Sequence, residues 1–259
     1  MLFYNEDESP VGHAASLPVP YLIQIIGVGF LATIQPPGFS GFSKETLDFL
    51  YQIRRHNSKP WFEEHRDAYE RYLLYPLRRL AVALSSVVLQ IDPEIETNPS
   101  RVVSRIYRDI RFSHDKSFYK KSMWLTFKRN IEAWQDSPVY YFELFPDSYR
   151  FGMGFYAITR ETMGKIRLVI EKKPALFRRH LAVIKSIPGM TIEGRTYKRT
   201  LNPAIPGELQ PIYQKKELYL VANRGIDAIL FSEALVSDLK ICFGKLAGFY
   251  HFLWELKSK

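Results

Sequence analysis

Three aromatic-rich segments lie close together in the middle of the chain, and they constrain its fold more than any other feature. Residues 123–127, 139–145 and 149–156 are rich in aromatic and β-branched side chains, and turn-forming residues 146–148 separate the last two. A further short strand is predicted at 218–221. Strands joined by tight turns pair in an antiparallel manner, so we predict a small antiparallel sheet.

Segments with helical periodicity flank these strands on both sides. Apolar residues recur every three or four positions from residue 69 to residue 91, and Ser43 is a suitable N-cap for an earlier helix. Pro76 must kink the longer helix or split it in two. Later helices are predicted to begin near Thr159 and after Ser232. These patterns predict a single α+β domain in which the aromatic-rich strands pack against several helices.

The domain is predicted to span residues 39–259, after an N-terminal appendage of residues 1–38. Residues 20–34 form an apolar run that is short for a membrane span, so membrane attachment is not expected. Acidic residues 6–8 stand where a signal peptide would have basic ones. The appendage is therefore interpreted as a poorly ordered arm, a misassigned start or, as a third alternative, an anchor.

Composition limits the partners and the compartment. The 259 residues carry a formal net charge of +9, which favours nucleic acid, phosphorylated ligands or anionic surfaces as partners. Cys242 is the single cysteine, so no intramolecular disulfide can form and a cytoplasmic location is predicted. The six histidines show no metal-ligand spacing, and no dinucleotide-binding glycine motif or P-loop occurs. We expect no metal and no cofactor, and the sequence indicates no oligomeric state.

Residues 101–121 combine cations, aromatics and acids more densely than any other segment. Seven cations less two acids leave a net charge of +5, out of +9 for the chain. Arginine binds carboxylate or phosphate through two parallel hydrogen bonds, and aromatic rings such as Tyr107 and Tyr119 can stack on bases. We therefore predict an anion-binding site that Arg66, from an upstream helix, completes. Its predicted contacts are Arg66, Arg105, Arg108, Arg111, Lys116 and Lys120.

Two glycines suggest a wall for this site. Gly152 and Gly154 alternate with aromatic residues on a predicted strand and leave one face of it without side chains. A large side chain, another backbone or a ligand can approach such a face closely. Packing of a Trp or Tyr is the commoner arrangement, and the wall of the anion site is the functional alternative.

Two other hypotheses use the same residues. In the first, Asp109 and Asp115 pair with the arginines in a structural network, and function lies on a protein-interaction surface; fully paired and buried arginines are then expected. In the second, the protein is an enzyme acting on a phosphate ester or another anion. Asp109, Asp115 or Glu143 would be its general base or metal ligand, and the arginines would stabilise the developing charge. Whether the protein is an enzyme stays open.

The basic segment also carries a family resemblance. The pattern Arg105-x-Tyr107-Arg108-Asp109-x-Arg111-Phe112-Ser113-x-Asp115-Lys116-x-x-Tyr119-Lys120 is similar to the signature of the DUF2461 family, a domain of unknown function. The patterns Asn57-x-x-x-Trp61-Phe62-x-x-x-Arg66-x-x-Tyr69 and Gly152-x-Gly154-x-Tyr156 resemble other parts of the same family. The chain departs from the usual pattern at His114, Phe118, Lys121 and Ala157. The resemblance covers about residues 39–256 and implies a family, not an activity.

Overall fold

The computed structural model describes residues 38–109, 111 and 115–258. Within these residues the chain forms one five-stranded antiparallel sheet with helices packed on it, so the prediction of a single α+β domain is confirmed. The predicted appendage lies outside the described residues except for Gly38.

The sheet has the strand order β1-β2-β3-β5-β4, and every neighbouring pair is antiparallel. The three predicted central strands form within one residue of their predicted limits, and the predicted strand at 218–221 extends further. The fourth strand in sequence was not predicted, because four residues at a sheet edge carry too little pattern. The strands are β1 (Met123–Phe127), β2 (Pro138–Leu144), β3 (Ser148–Phe155), β4 (Met190–Glu193) and β5 (Tyr219–Gly225).

The helices precede, interrupt and follow the strands. The predicted starts near Ser43, Thr159 and Ser232 are confirmed, and Ser43 and Thr159 are the N-cap residues of their helices. The α-helices are α1 (Lys44–Arg55), α2 (Lys59–Glu64), α3 (Arg66–Ala68), α4 (Tyr75–Ile91), α5 (Pro99–Val102), α6 (Arg160–Lys172), α7 (Pro174–Lys185), α8 (Gln210–Tyr213) and α9 (Ala234–Ser258). A 3₁₀ turn covers Trp134–Asp136.

A π-helical segment, Tyr69–Leu74, joins α3 to α4 just before Pro76. Proline has no N–H to donate to the carbonyl four residues earlier, which is that of Tyr72. The hydroxyl of Thr46 on α1 donates to this carbonyl at 2.6 Å, and the Thr46 side chain is fully buried. At the predicted break the chain therefore changes from α-helix to π-helix, and the Thr46 hydroxyl of α1 supplies the hydrogen bond that Pro76 cannot donate.

One face of the sheet packs against α4, α7 and α9. The Tyr140 hydroxyl donates to the Phe243 carbonyl of α9 at 3.4 Å, and its ring stacks on Tyr250 at 5.2 Å. Cys242 lies in the same helix, where burial raises the pKa of its thiol to about 12. By length and composition Arg66–Ile91 could span a membrane. Four of its leucines, Leu73, Leu77, Leu80 and Leu84, are fully buried in the core of the domain.

The other face of the sheet carries polar side chains in register. Trp124 of β1 lies opposite Glu143 of β2, which lies opposite Arg150 of β3. Because alternate residues of a strand share a face, these three side chains lie side by side across the sheet. This row positions the candidate site.

We predict that Thr46→Val lowers the free energy of unfolding by about 1–3 kcal/mol, because the Tyr72 carbonyl loses its donor in the protein interior. The variant Pro76→Ala restores an N–H at the helix junction, so Thr46→Val should cost less in that background, where the remaining cost is the bond that the Thr46 hydroxyl accepts from the Ser43 N–H. Urea unfolding of the two single variants and the double variant measures this coupling. An equal cost in both backgrounds would contradict the role given to Thr46.

Candidate functional site

The basic segment folds into a short two-stranded antiparallel ribbon next to β1. We call residues 105–108 and 118–121 the basic ribbon; within it Lys120 N donates to Ile106 O at 2.8 Å. Residues just before the ribbon pair with β1. The charges that looked like a continuous stretch in the sequence are therefore divided between two paired strands and the loop that joins them.

Asn57, in the connection between α1 and α2, holds the ribbon in place. Its Oδ1 accepts from Tyr119 N at 2.9 Å, while its Nδ2 donates to Tyr119 O at 3.0 Å and to Ile53 O at 3.2 Å. The amide thus pairs with the ribbon as a neighbouring strand would. Phe62 of α2 stacks on the Tyr119 ring at 4.4 Å. Tyr119 is consequently buried, which removes it from the set of rings that could stack on a ligand.

Arg66 lies beside the ribbon, as the sequence predicted, and already holds a carboxylate. Its Nε and Nη2 donate to Glu63 at 3.1 and 2.7 Å, and its guanidinium lies 5.3 Å from the centre of the Phe62 ring. Hydrogen bonds to Glu63 and then to Tyr107 raise the pKa of Arg66. Tyr107 itself is 49% exposed and lies at the surface of the ribbon.

In the loop of the ribbon, Arg111 grips Asp109 with its planar fork. Nε donates to Oδ1 at 3.1 Å and Nη2 donates to Oδ2 at 2.8 Å, while the backbone N–H of Arg111 also bonds Oδ1 at 3.0 Å. These hydrogen bonds hold the pKa of Asp109 at about 2. The Arg111 side chain is nevertheless 53% exposed, so it is paired but not buried.

Asp115 has more partners but weaker ones. Arg108 Nη1 lies 3.2 Å and Lys121 Nζ 3.5 Å from its Oδ2, and the Ser117 N–H donates to its Oδ1 at 3.0 Å. Hydrogen bonds from Ser117, followed by the charges of Arg108 and Lys121, lower the pKa of Asp115 to about 2. Arg108 Nε is buried with no hydrogen-bond partner among the described residues. The structural-network hypothesis, which expects fully paired and buried arginines, is therefore met only in part.

Lys120 does not lie at the surface, where an anion contact was predicted. It is 7% exposed, and its Nζ donates to Arg105 O at 2.8 Å and lies 4.2 Å from the centre of the Trp124 ring. Burial, followed by the positive charges of Arg105 and Arg108, lowers the pKa of Lys120 to about 8. Arg105 and Lys116, in contrast, have exposed side chains, and their role as anion contacts stays a prediction.

Glu143, a candidate general base, is a buried ion-pair partner. Arg150 donates to its Oε2 through Nε at 2.8 Å and Nη2 at 2.6 Å, and the Ser122 hydroxyl donates to Oε1 at 2.7 Å. Both oxygens of the carboxylate thus accept hydrogen bonds from protein side chains. Among residues 38–109, 111 and 115–258, no group of three or more His, Cys, Asp or Glu could hold a metal ion.

The two glycines of β3 allow a close approach of β5. A Cβ at Gly152 would lie 1.9 Å from Leu220 O, and one at Gly154 would lie 2.4 Å from the Tyr219 Cβ. The Tyr141 hydroxyl reaches across Gly152 to donate to Leu220 O at 3.0 Å. Protein atoms therefore fill the space over Gly152, so Gly152 does not form the wall of an anion site.

Sequence reasoning missed the partners of the predicted residues. Arg150 and Ser122 were not named, although the predicted turn at 146–148 would have placed Arg150 opposite Glu143 in a tight hairpin. Asn57 appeared only as a letter of the family pattern. The residues around Asn57 do not indicate that its side-chain amide bonds the backbone of the ribbon, because its partner Tyr119 lies 62 positions further along the chain.

We predict that Asn57→Ala lowers the free energy of unfolding by about 2–3 kcal/mol, since three hydrogen bonds of about 1 kcal/mol each are lost. Urea unfolding gives the loss, and amide hydrogen exchange should show faster exchange at Tyr119. Asn130→Ala, at an exposed asparagine, is the matched control. Equal stability of the two variants, with Tyr119 still protected, would contradict the role of Asn57.

We also predict that Lys120 makes stability depend on pH. Its pKa is lowered from 10.5 to about 8, so between these values the unfolded chain binds more protons than the folded one. Stability relative to Lys120→Met should therefore rise with pH across this window, by about 3 kcal/mol in all at about 1.4 kcal/mol per pKa unit. Urea unfolding of both proteins from about pH 7.5 to about pH 9.5 measures about half of the rise. Parallel pH profiles would contradict the shift.

Comparison with known proteins identifies a family. No curated protein matches the chain. The family model described as "Conserved hypothetical protein (DUF2461)" matches residues 45–252 and thereby contains α2, the basic ribbon and the whole sheet. The resemblance inferred from the ribbon and Asn57 patterns is thus confirmed over most of the chain, and the protein belongs to the DUF2461 family.

Proposed function

We propose that the protein binds a single-stranded nucleic acid through the basic ribbon and its loop. The observation that carries the proposal is the unbalanced charge of this surface. Seven cations and two acids lie in residues 101–121, which leaves +5 when both acids are ionised, or +4 without the buried Lys120. Both are ionised at neutral pH, since their pKa values are about 2.

The positive charge is distributed along a surface. Arg105, Arg111, Lys116 and Lys121 have exposed side chains. An extended polyanion can reach several such cations at once and release its counterions, which is the main source of nucleic-acid affinity. A phosphorylated small molecule, the alternative ligand of the same surface, can reach only one or two of them.

Exposed aromatic rings stand among these cations. Tyr107 is 49% and Phe118 is 40% exposed, and Lys59 Nζ lies 5.3 Å from the centre of the Phe118 ring. Rings of this kind stack on unpaired bases, which a duplex does not offer. The combination of exposed cations and exposed rings therefore favours a single strand over a duplex.

The enzyme hypothesis has less support from the geometry. Its three candidates, Asp109, Asp115 and Glu143, are each held by an arginine. Carboxylates with a pKa of about 2 are weak bases, so Asp109 and Asp115 are poorly suited to proton abstraction. We also propose a cytoplasmic location, which the single, buried and unreactive Cys242 supports.

We expect a labelled single strand to bind with an affinity that falls steeply as salt rises, with a slope of about 0.7 in log–log terms for each phosphate neutralised. Arg105→Gln should weaken binding and lower that slope by about 0.7. Lys245→Gln, at an exposed cation on α9, is the matched control and should change neither. Fluorescence anisotropy across a salt series measures both quantities.

The rings are tested in the same assay. Tyr107→Ala should weaken binding roughly fivefold or more, whereas Tyr107→Phe, which keeps the ring, should not. Absence of binding at low salt, or equal effects of Arg105→Gln and Lys245→Gln, would reject the proposal. Tighter binding of a duplex than of a single strand would reject the role of the rings.

A further inference from the structure

The outward side of α4 carries an apolar stripe that the described part of the chain leaves exposed. Tyr75, Val82 and Leu89 are 47%, 58% and 40% exposed, and they recur at an interval of seven residues. Residues seven positions apart lie two helical turns apart on nearly the same side of a helix. The three side chains therefore form one stripe along almost the whole length of α4.

This stripe is separate from the side by which α4 joins the core. Leu77, Leu80 and Leu84 are fully buried and hold the helix in the domain. Arg66–Ile91 is apolar enough by composition to span a membrane, yet only 33% of its most apolar 18-residue window is buried. The helix thus has more apolar side chains than the core accommodates. A row of such side chains on an exposed face indicates an interaction surface.

The spacing of the stripe is symmetric about Val82. Tyr75 lies seven residues before it and Leu89 lies seven residues after it. Two copies of α4 that pack in opposite directions, with the two Val82 side chains at the centre, bring Tyr75 of each copy next to Leu89 of the other. Each apolar side chain then meets another apolar one, as a self-complementary two-fold interface requires.

The charges of α4 also favour the antiparallel arrangement. Arg78 and Arg79 lie in the N-terminal half of the helix, and residues 80–91 carry no charged side chain. In the antiparallel pair the arginines lie opposite two serines of the second copy, Ser86 and Ser85, and near the C-terminal half of its helix, whose end carries a partial negative charge. In a parallel pair the arginines of the two copies would lie opposite each other and repel.

A membrane surface fits the stripe less well than a second copy does. Arg79 and Ser86 are exposed and lie on the same side of α4 as the apolar residues. A helix that lies on a bilayer buries its apolar side at the boundary of the acyl chains, where a charged side chain is costly. Between two helices the arginine can extend past the edge of the contact and keep its charged end in water.

We propose that the protein forms a two-fold symmetric homodimer through this stripe, with two α4 helices packed antiparallel about Val82. The stripe shares no residue with the basic ribbon, so the proposal does not depend on nucleic-acid binding. Removal of the three apolar side chains of each copy from water is the main stabilising contribution. Because the contact is only one helix long, we expect a dissociation constant in the micromolar range and not the tight association of an obligate dimer.

Sedimentation equilibrium of the full chain over a series of concentrations tests the dimer. The average mass should rise with concentration from the 30.3 kDa of the monomer towards twice that value. Val82→Arg should weaken association at least about tenfold, since it places two like charges at the two-fold axis. Leu168→Arg, at a leucine of α6 that is 49% exposed, is the matched control and should leave association unchanged.

Leu89→Arg tests the same stripe away from the axis and should also weaken association, and urea unfolding checks that each variant is folded. A monomer at every concentration, or equal effects of Val82→Arg and Leu168→Arg, would overturn the proposal. A monomer that instead co-sediments with vesicles of anionic phospholipid, and loses this binding in Val82→Arg, would assign the stripe to a membrane surface and overturn the dimer.

Cross-linking tests the direction of the two helices. Cys242 is buried and burial raises the pKa of its thiol, so it does not compete with an introduced surface cysteine. A short bis-maleimide should join Tyr75→Cys to Leu89→Cys when the two variants are mixed, and it should join neither variant to itself. Cross-linking of each variant to itself and not to the other would show a parallel pair and contradict the proposed interface.

Discussion

The polar face of the sheet depends on one interaction, the pairing of the buried Glu143 carboxylate with Arg150 and Ser122. At 4% exposure it would be costly to leave unpaired, by about 3–5 kcal/mol for a buried charge. Arg150 and Ser122 satisfy it from two directions. Ser122 follows the basic ribbon directly and Arg150 belongs to β3, so one carboxylate of β2 links the ribbon to the sheet.

The ribbon itself is held mainly by neutral groups. Asn57 supplies the hydrogen bonds that a neighbouring strand would make, and Phe62 supplies a stacked ring. Because these contacts involve neutral groups, they do not pair with the cationic side chains of the ribbon. The family pattern therefore joins two kinds of residue, those that build the ribbon and those whose charge the ribbon displays.

Sequence patterns predicted the elements well where the pattern was local. The helices and the three central strands follow from periodicity, whereas β4 pairs with β5 across a long connection and is too short for a period to show. The same limit applies to the candidate site. The pairing of the arginines with Asp109 and Asp115 was foreseen as an alternative, because the residues are close in sequence. The burial of Tyr119 and Lys120 was not, because it depends on Asn57, Phe62 and Trp124 from other elements.

The state of the acids decides what the ribbon can attract. Asp109 and Asp115 are ionised and paired with Arg111 and Arg108, so an arriving anion has to compete with them for these two guanidinium groups. The segment nevertheless keeps its surplus of positive charge at neutral pH. The same positive charge acts on Lys120 in the protein interior. Burial lowers the pKa of Lys120, and the charges of Arg105 and Arg108 lower it further. An anion bound near these arginines would offset their repulsion and bring that pKa back towards its ordinary value. An anion bound at the ribbon would thus be coupled electrostatically to the buried lysine without touching it.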